Sequence, residues 1–153
     1  MNRRTLLKRT LAVSAVGVAA SAGLLAPGQV LAAYPKAAFE AKDTTGALNA
    51  ALGSGSVEDS DDIKIKAPDI AENGSVVPVT ITSGMSGVES IAILADSNNT
   101  PMVASFNLNG SEAYVSTRIK MGKTGNVVAV VKSGGKLYTN KKEVKVTIGG
   151  CGG

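Results

Sequence analysis

Seven short runs of strand-forming residues, separated by turn signals at near-even spacing, constrain the fold of this 153-residue chain more than any other feature. In residues 63–67 apolar side chains alternate with lysines, which is the period of a strand with one buried face. The other runs cover residues 77–82, 88–95, 102–108, 113–121, 127–132 and 136–148. Turn signals such as Asn109-Gly110 and Gly134-Gly135 separate successive runs.

This pattern predicts an all-β fold, an immunoglobulin-like antiparallel β-sandwich, with a small barrel as the alternative. The chain has no Trp and a single Cys, so the Cys-Trp-Cys pin of antibody domains is absent. Pro78 predicts an edge position or a bulge in its strand. Apolar residues at helical spacing within residues 35–52 predict one or two short helices, and an acidic turn follows at residues 58–62.

The first 32 residues have the order of a bacterial export signal. Arg3 and Arg4 open a charged head of the twin-arginine type, an apolar stretch covers residues 11–26, and small residues surround the cleavage point expected after Ala32. A transmembrane anchor is disfavoured because this stretch has 16 residues interrupted by Ser and Gly, whereas a span needs about 20. We therefore expect residues 1–32 to be a twin-arginine signal peptide and the mature protein to be periplasmic.

The formal net charge of +4 comes from this signal, because the remaining chain has 12 basic and 12 acidic residues. The mature protein is therefore not expected to bind nucleic acid or a membrane. Its charges are uneven, with −6 in residues 33–100 and +6 in residues 101–153. We divide the chain into the signal, a helical segment with an acidic loop (33–60), the sandwich (61–148) and a flexible arm (149–153).

The residue types that are missing exclude several kinds of catalyst. The chain has no His, so it can form no Ser-His-Asp triad, no Cys-His pair and no imidazole metal site. One Cys allows neither an internal disulfide nor a zinc knuckle. No cofactor-binding motif is present either. The chain is therefore predicted to be no enzyme and to hold no cofactor or metal. Twin-arginine export, which carries folded passengers, suggests that it leaves the cytoplasm with a partner bound.

The only thiol, Cys151, lies between two pairs of glycines, Gly149-Gly150 and Gly152-Gly153. Glycine imposes little backbone preference and chain ends are poorly ordered unless they are tied down, so this stretch is predicted to be a flexible arm. Five such residues offer nothing to bury the thiol, and its activation is expected in a partner enzyme's pocket. Cys151 is then a covalent attachment point that presents cargo to other proteins. One alternative is a secreted β-sandwich interaction module whose Cys151 forms an intermolecular disulfide. Another is a ubiquitin-like carrier, which would need ATP and would not need Cys151.

Several strings resemble the SoxY family, the sulfur carriers of the bacterial sulfur-oxidation (Sox) system. They are the twin-arginine signal, residues 67–74 (APDIAENG) running into 76–79 (VVPV), the 117–121 strand (TRIKM), 134–138 (GGKLY) and the ending 146–153 (VTIGGCGG). The resemblance extends over essentially the whole chain. One departure is the stretch Asn98-Asn99-Thr100-Pro101, where an Asn-Pro turn is expected.

The resemblance implies an immunoglobulin-like sandwich in a heterodimer with a second small β-sandwich subunit, SoxZ, which is exported bound to its partner. It also implies that Cys151 carries thiosulfate-derived cargo covalently. SoxAX, a c-type haem complex, would couple thiosulfate to the thiol as a cysteine S-thiosulfonate. SoxB, a dimanganese hydrolase, would release sulfate, and a sulfane dehydrogenase, where present, would oxidise the remaining sulfur. The metals belong to those partners.

Three lysines near the arm, Lys141, Lys142 and Lys145, suggest a role in steering or holding the anionic adduct. The alternative is that they blunt an exposed strand edge.

Overall fold

The computed structural model describes residues 34–148. The predicted signal peptide, with Arg3 and Arg4, and the predicted arm, with Cys151 and its flanking glycines, lie outside these residues. Within them, no helix is long and apolar enough to cross a membrane.

In residues 34–148, two short helices precede nine strands. The helices are α1 (Lys36–Glu40) and α2 (Thr44–Leu52). The strands are β1 (Glu58–Asp59), β2 (Ile63–Lys66), β3 (Ile70–Ala71), β4 (Val77–Ser83), β5 (Val88–Ala95), β6 (Met102–Asn107), β7 (Tyr114–Ile119), β8 (Gly125–Ser133) and β9 (Lys136–Val146).

The strands form two sheets, which confirms the predicted sandwich. A six-stranded sheet has the order β1-β9-β8-β5-β6, with β3 also paired to β9, and the second sheet has the order β2-β4-β7. All seven predicted runs contain a strand, and their mutual pairings are antiparallel. The two additional strands, β1 and β3, have two residues each and pair with β9 in parallel. Strands of two residues are too short to show an apolar periodicity in the sequence. One of them, β1, lies in the predicted acidic turn.

The main core lies between the two sheets, where the inward-facing residues of both sheets pack together. Its fully buried members include Ile63, Val77, Ile81, Ile91, Ile93, Met121, Val127, Val131 and Val144. A smaller core lies on the other face of the six-stranded sheet, where Ala47 and Leu48 of α2 pack with Ala92 and Leu94. Because β5 has apolar neighbours on both faces, its residues 91–95 form a continuous apolar run instead of an alternation.

The turn chemistry agrees with the sequence. Gly134 and Gly135 adopt φ angles of 57° and 77° between the paired residues Ser133 and Lys136, as a type I′ hairpin requires. Pro78 belongs to β4, the middle strand of its sheet. The pairing of β4 with β2 ends at Thr80, which pairs with Lys66, and Pro78 lies two residues past that pair. At Pro78, β4 therefore has a neighbour on one side only, which is the local edge that proline tolerates.

Strand β9 connects the two sheets at their shared side through side chains. The Asn140 amide donates to the Ile63 carbonyl oxygen at 2.7 Å, and the Lys142 ammonium donates to the Ala67 carbonyl oxygen at 2.6 Å. Both acceptors belong to the β2–β3 region that lies beside β9. These two contacts hold the last strand against the rest of the sandwich, and the chain then continues toward Cys151.

Candidate functional site

The described part of the site is the end of β9, the last strand before Cys151. Strand β9 ends at Val146, and Thr147 and Ile148 form a bend. The predicted alternation is confirmed as far as Val146, because Val144 is fully buried and Lys145 is exposed. It does not continue to Ile148, which was expected to point inward but is 66% exposed. The reason is that Ile148 lies in the bend, past the end of the strand.

Residues 67–74, which we call the flanking segment, run alongside the end of β9. The Lys145 amide donates to the Asp69 carbonyl oxygen at 2.9 Å, and the Thr147 amide donates to the Ala71 carbonyl oxygen at 3.1 Å. The Gly74 amide donates to the Ile148 carbonyl oxygen at 2.8 Å. Backbone hydrogen bonds to the flanking segment therefore continue to the last residue that the structure describes.

Thr124 holds the other side of the strand end. Its hydroxyl accepts a hydrogen bond from the Val146 amide at 2.9 Å and lies 3.5 Å from the Val146 carbonyl oxygen. The regular ladder with β8 ends at the pair Gly125 and Val144. The Thr124 side chain thus takes the place of a further backbone partner from β8. The end of β9 is therefore held by Thr124 on one side and by the flanking segment on the other.

The three predicted lysines do not form one cluster. Lys142 is engaged with the flanking segment, because its ammonium also lies 3.0 Å from the Asp69 carboxylate. Lys141 and Lys145 are exposed, and neither forms a salt bridge with another residue in 34–148. The separation follows from strand geometry, since Lys142 points to the opposite face of β9 from its two neighbours in the set.

Exposed apolar side chains also lie around the end of β9. Ile70, Val76 and Ile148 are each more than half exposed. Ile70 is paired with Lys145, and Val76 lies two residues from Gly74, the donor to Ile148. Sequence reasoning did not identify the flanking segment as part of this site. Its only signal was the string from residue 67 to 74.

A polar hollow of about 330 Å³ lies near the other end of β9. It is lined by Asp59, Ser60, Asp62, Tyr138 and neighbouring residues. Tyr138 is separated from Val146 by eight residues of β9, or about 26 Å of strand. The hollow is therefore remote from the C-terminal end of β9. In residues 34–148 no three His, Cys, Asp or Glu side chains are grouped so as to hold a metal ion.

Comparison with known proteins shows the family. The family model described as "Sulfur oxidation protein SoxY" matches residues 48–151. The structure of the sulfur carrier protein SoxY from Chlorobium limicola f thiosulfatophilum is 47% identical, with a TM-score of 0.59, over 67% of this chain and 94% of that one. No curated protein matches the chain.

A second solved structure shows the same fold without close sequence similarity. The superoxide reductase (neelaredoxin) from Ignicoccus hospitalis is 18% identical, with a TM-score of 0.52, over 59% of this chain and 94% of that one. At this identity the similarity concerns the fold alone. The SoxY match is different in kind, because both a family model and a structure with high identity support it. The chain belongs to the SoxY family of sulfur oxidation proteins.

Proposed function

We propose that this protein is a periplasmic carrier that binds thiosulfate-derived intermediates covalently on Cys151 and presents them to other Sox proteins. The observation that carries the proposal is the extent of the family match, which runs from residue 48 through Cys151, the only thiol of the chain. The related SoxY from Chlorobium limicola is itself named a sulfur carrier protein.

The proposed loading step is an oxidative coupling. The Cys151 thiolate and the outer sulfur of thiosulfate form a sulfur–sulfur bond, which gives a cysteine S-thiosulfonate and releases two electrons. A c-type haem partner of the SoxAX kind accepts these electrons. The adduct keeps one negative charge on its sulfonate group.

The proposed unloading step is a hydrolysis. Water attacks the terminal sulfonate sulfur, the bond to the neighbouring sulfur breaks, and sulfate and two protons leave. The product on the protein is a persulfide anion at Cys151. A dimanganese hydrolase of the SoxB kind would catalyse this step, and a sulfane dehydrogenase, where the organism has one, would oxidise the sulfur that remains.

In this proposal the chain itself is no enzyme and holds no cofactor. A SoxZ-type subunit would complete a heterodimer, and export as a folded pair through the twin-arginine pathway would explain the signal at Arg3 and Arg4. The sandwich supplies a stable platform, and the glycines 149, 150, 152 and 153 supply a slim arm that can enter a narrow active site. Lys141 and Lys145, which are exposed near the arm, would bias the encounter with anionic cargo.

Intact mass spectrometry tests the carrier function. Protein purified from cells grown on thiosulfate is expected to carry sulfur-containing adducts on the peptide that contains Cys151. Cys151→Ser should remove every adduct and abolish thiosulfate oxidation, because a hydroxyl cannot form the sulfur–sulfur bond. A strain that retains thiosulfate oxidation with Cys151→Ser would contradict the carrier assignment. Protein found only as disulfide dimers, active in that form, would favour the interaction module instead.

A further inference from the structure

We propose that the flanking segment, residues 67–74, is a clamp that sets the pivot of the carrier arm at Ile148. The inference deepens the proposed function, since it rests on Cys151 being the point of attachment. Its structural part, that the end of β9 is held by this segment, can be tested separately.

The clamp contacts the strand end at several consecutive residues. On one side, carbonyl oxygens of the flanking segment accept hydrogen bonds from the Lys145 and Thr147 amides, and the Gly74 amide donates to the Ile148 carbonyl oxygen. The Thr147 hydroxyl adds a bond to the Glu72 carbonyl oxygen at 3.3 Å. On the other side Thr124 binds the Val146 backbone. Chain ends fray unless they are tied down, and here every residue from 145 to 148 is tied.

The flanking segment is itself attached to the body of the sandwich. Ala71 is buried in the main core. The Gly74 carbonyl oxygen accepts a hydrogen bond at 2.7 Å from the amide of Met121, a residue that is fully buried. Lys142 bridges from β9 to Ala67 and Asp69. Because these anchors reach both the core and β9, the segment transmits the rigidity of the sandwich to Ile148.

The position of the pivot decides how far Cys151 can reach. From Ile148 the thiol is three residues away, or about 10 Å of extended chain. If the clamp opens, Val146 keeps only the contact with the Thr124 hydroxyl, and the next residue that is held by both the β8 ladder and the core is Val144, which is fully buried. The thiol is then seven residues away, or about 24 Å. The effective concentration of a tethered group falls roughly as the −3/2 power of tether length, so opening the clamp should lower delivery into a partner's site by roughly threefold.

The clamp is opened by the double variant Lys142→Met/Thr147→Pro in the full mature chain. Proline removes the Thr147 amide and hydroxyl donors, and methionine removes the ammonium. Since each lost hydrogen bond changes an equilibrium by about fivefold, we expect exchange of the Lys145 amide, which donates to Asp69, to accelerate by at least about tenfold. Exchange in β8 should not change. Lys64→Met is the matched control, because it also removes one lysine ammonium but lies on β2, in the other sheet, and forms no salt bridge with the flanking segment.

Delivery is measured as the rate at which a c-type haem enzyme couples thiosulfate to Cys151. The double variant should lose roughly threefold in this rate. Its alkylation rate with iodoacetamide should stay unchanged, because a small reagent does not depend on reach. A four-glycine insertion between Ile148 and Gly149 lengthens the tether equally without touching the clamp, so it should lower coupling by a similar factor with normal exchange at Lys145.

The outcomes separate the clamp from the carrier function. Unchanged exchange at Lys145 in the double variant would overturn the clamp. Faster exchange with undiminished coupling would overturn the claim that the clamp positions the arm. Coupling that survives Cys151→Ser would overturn the proposed function instead.

Discussion

Ser90 and Thr139 are the two buried polar residues in the described part of the chain, and their hydroxyls are in different situations. The Thr139 hydroxyl donates to the Ala129 carbonyl oxygen at 3.0 Å. The Ser90 hydroxyl has no hydrogen-bond partner among residues 34–148. A buried hydroxyl without a partner costs free energy, whereas a satisfied one contributes to stability.

We therefore expect opposite effects from removing these two hydroxyls. Ser90→Ala should raise the free energy of unfolding by about 1 kcal/mol, and Thr139→Val should lower it by about 1 kcal/mol. Denaturant unfolding of the two variants measures both changes. A loss of stability in Ser90→Ala would show that this hydroxyl is satisfied in solution.

For single residues, Lys141, Lys142 and Lys145 illustrate what could be predicted from the sequence and what could not. Their number and position were evident, and Lys141 and Lys145 are exposed as a steering role requires. The partner of Lys142 was not evident, because Asp69 is 73 positions away in the sequence. Only the parallel pairing of β3 with β9 brings this carboxylate to the lysine.

Helix α2 has a well-defined boundary at each end. The side chain of its N-cap, Asp43, accepts a hydrogen bond from the Gly46 amide at 2.7 Å. Its C-cap, Gly53, has a φ of 78°, in the left-handed region that glycine adopts without strain. These caps help a nine-residue helix that is too short to be stable alone.

Removing the cap should destabilise the helical cover of the six-stranded sheet. Asp43→Ala is expected to lower the free energy of unfolding by about 1 kcal/mol, because the Gly46 amide loses its acceptor. Asp43→Asn, which keeps an acceptor oxygen, should stay close to the parent protein. Chemical denaturation compares the three proteins. Equal losses for Ala and Asn would mean that the carboxylate charge, and not the cap, is responsible.

At the scale of elements, long runs were predictable and two-residue strands were not. The β8–β9 hairpin follows from Gly134-Gly135 between two β-branched runs, because both glycines take the positive φ that the turn needs. Strand β3 has only Ile70 and Ala71, which is too short for any period. Its pairing is specified by the neighbouring strand β9, which no local pattern reveals.

At the scale of the whole molecule, the fold brings the two oppositely charged halves of the chain together. Salt bridges join Lys132 to Glu89, Lys136 to Glu58, and Lys142 to Asp69. Each joins a base of the second half to an acid of the first. The polarity of −6 and +6 along the sequence is therefore not a separation in space. Exposed pairs of this kind contribute about 0–1 kcal/mol each, so their main effect is on the surface field.

The proposed export signal, residues 1–32, lies outside the part of the chain that the structure describes. If residues 1–32 are a twin-arginine signal, Arg3→Lys/Arg4→Lys should keep the protein in the cytoplasm, uncleaved and without sulfur adducts on Cys151. Cell fractionation followed by intact mass measures location and cleavage together. Arg9→Lys, which leaves the arginine pair intact, is the control and should be exported. Normal periplasmic yield from the double variant would contradict this route.

The sequence by itself determined the sandwich class, the positions of the turns between strands and the single thiol between glycines. These features are local, since strand period, turn propensity and backbone freedom depend on residues close together in the chain. The tertiary structure alone decided that residues 67–74 run along the end of β9 and that Lys142 binds Asp69. Those contacts join distant stretches of chain, and they depend on how the two sheets pack. From the sequence, residues 67–74 could be recognised only as a family-like motif. Their role in holding the end of β9 became clear from the fold, which places them beside that strand.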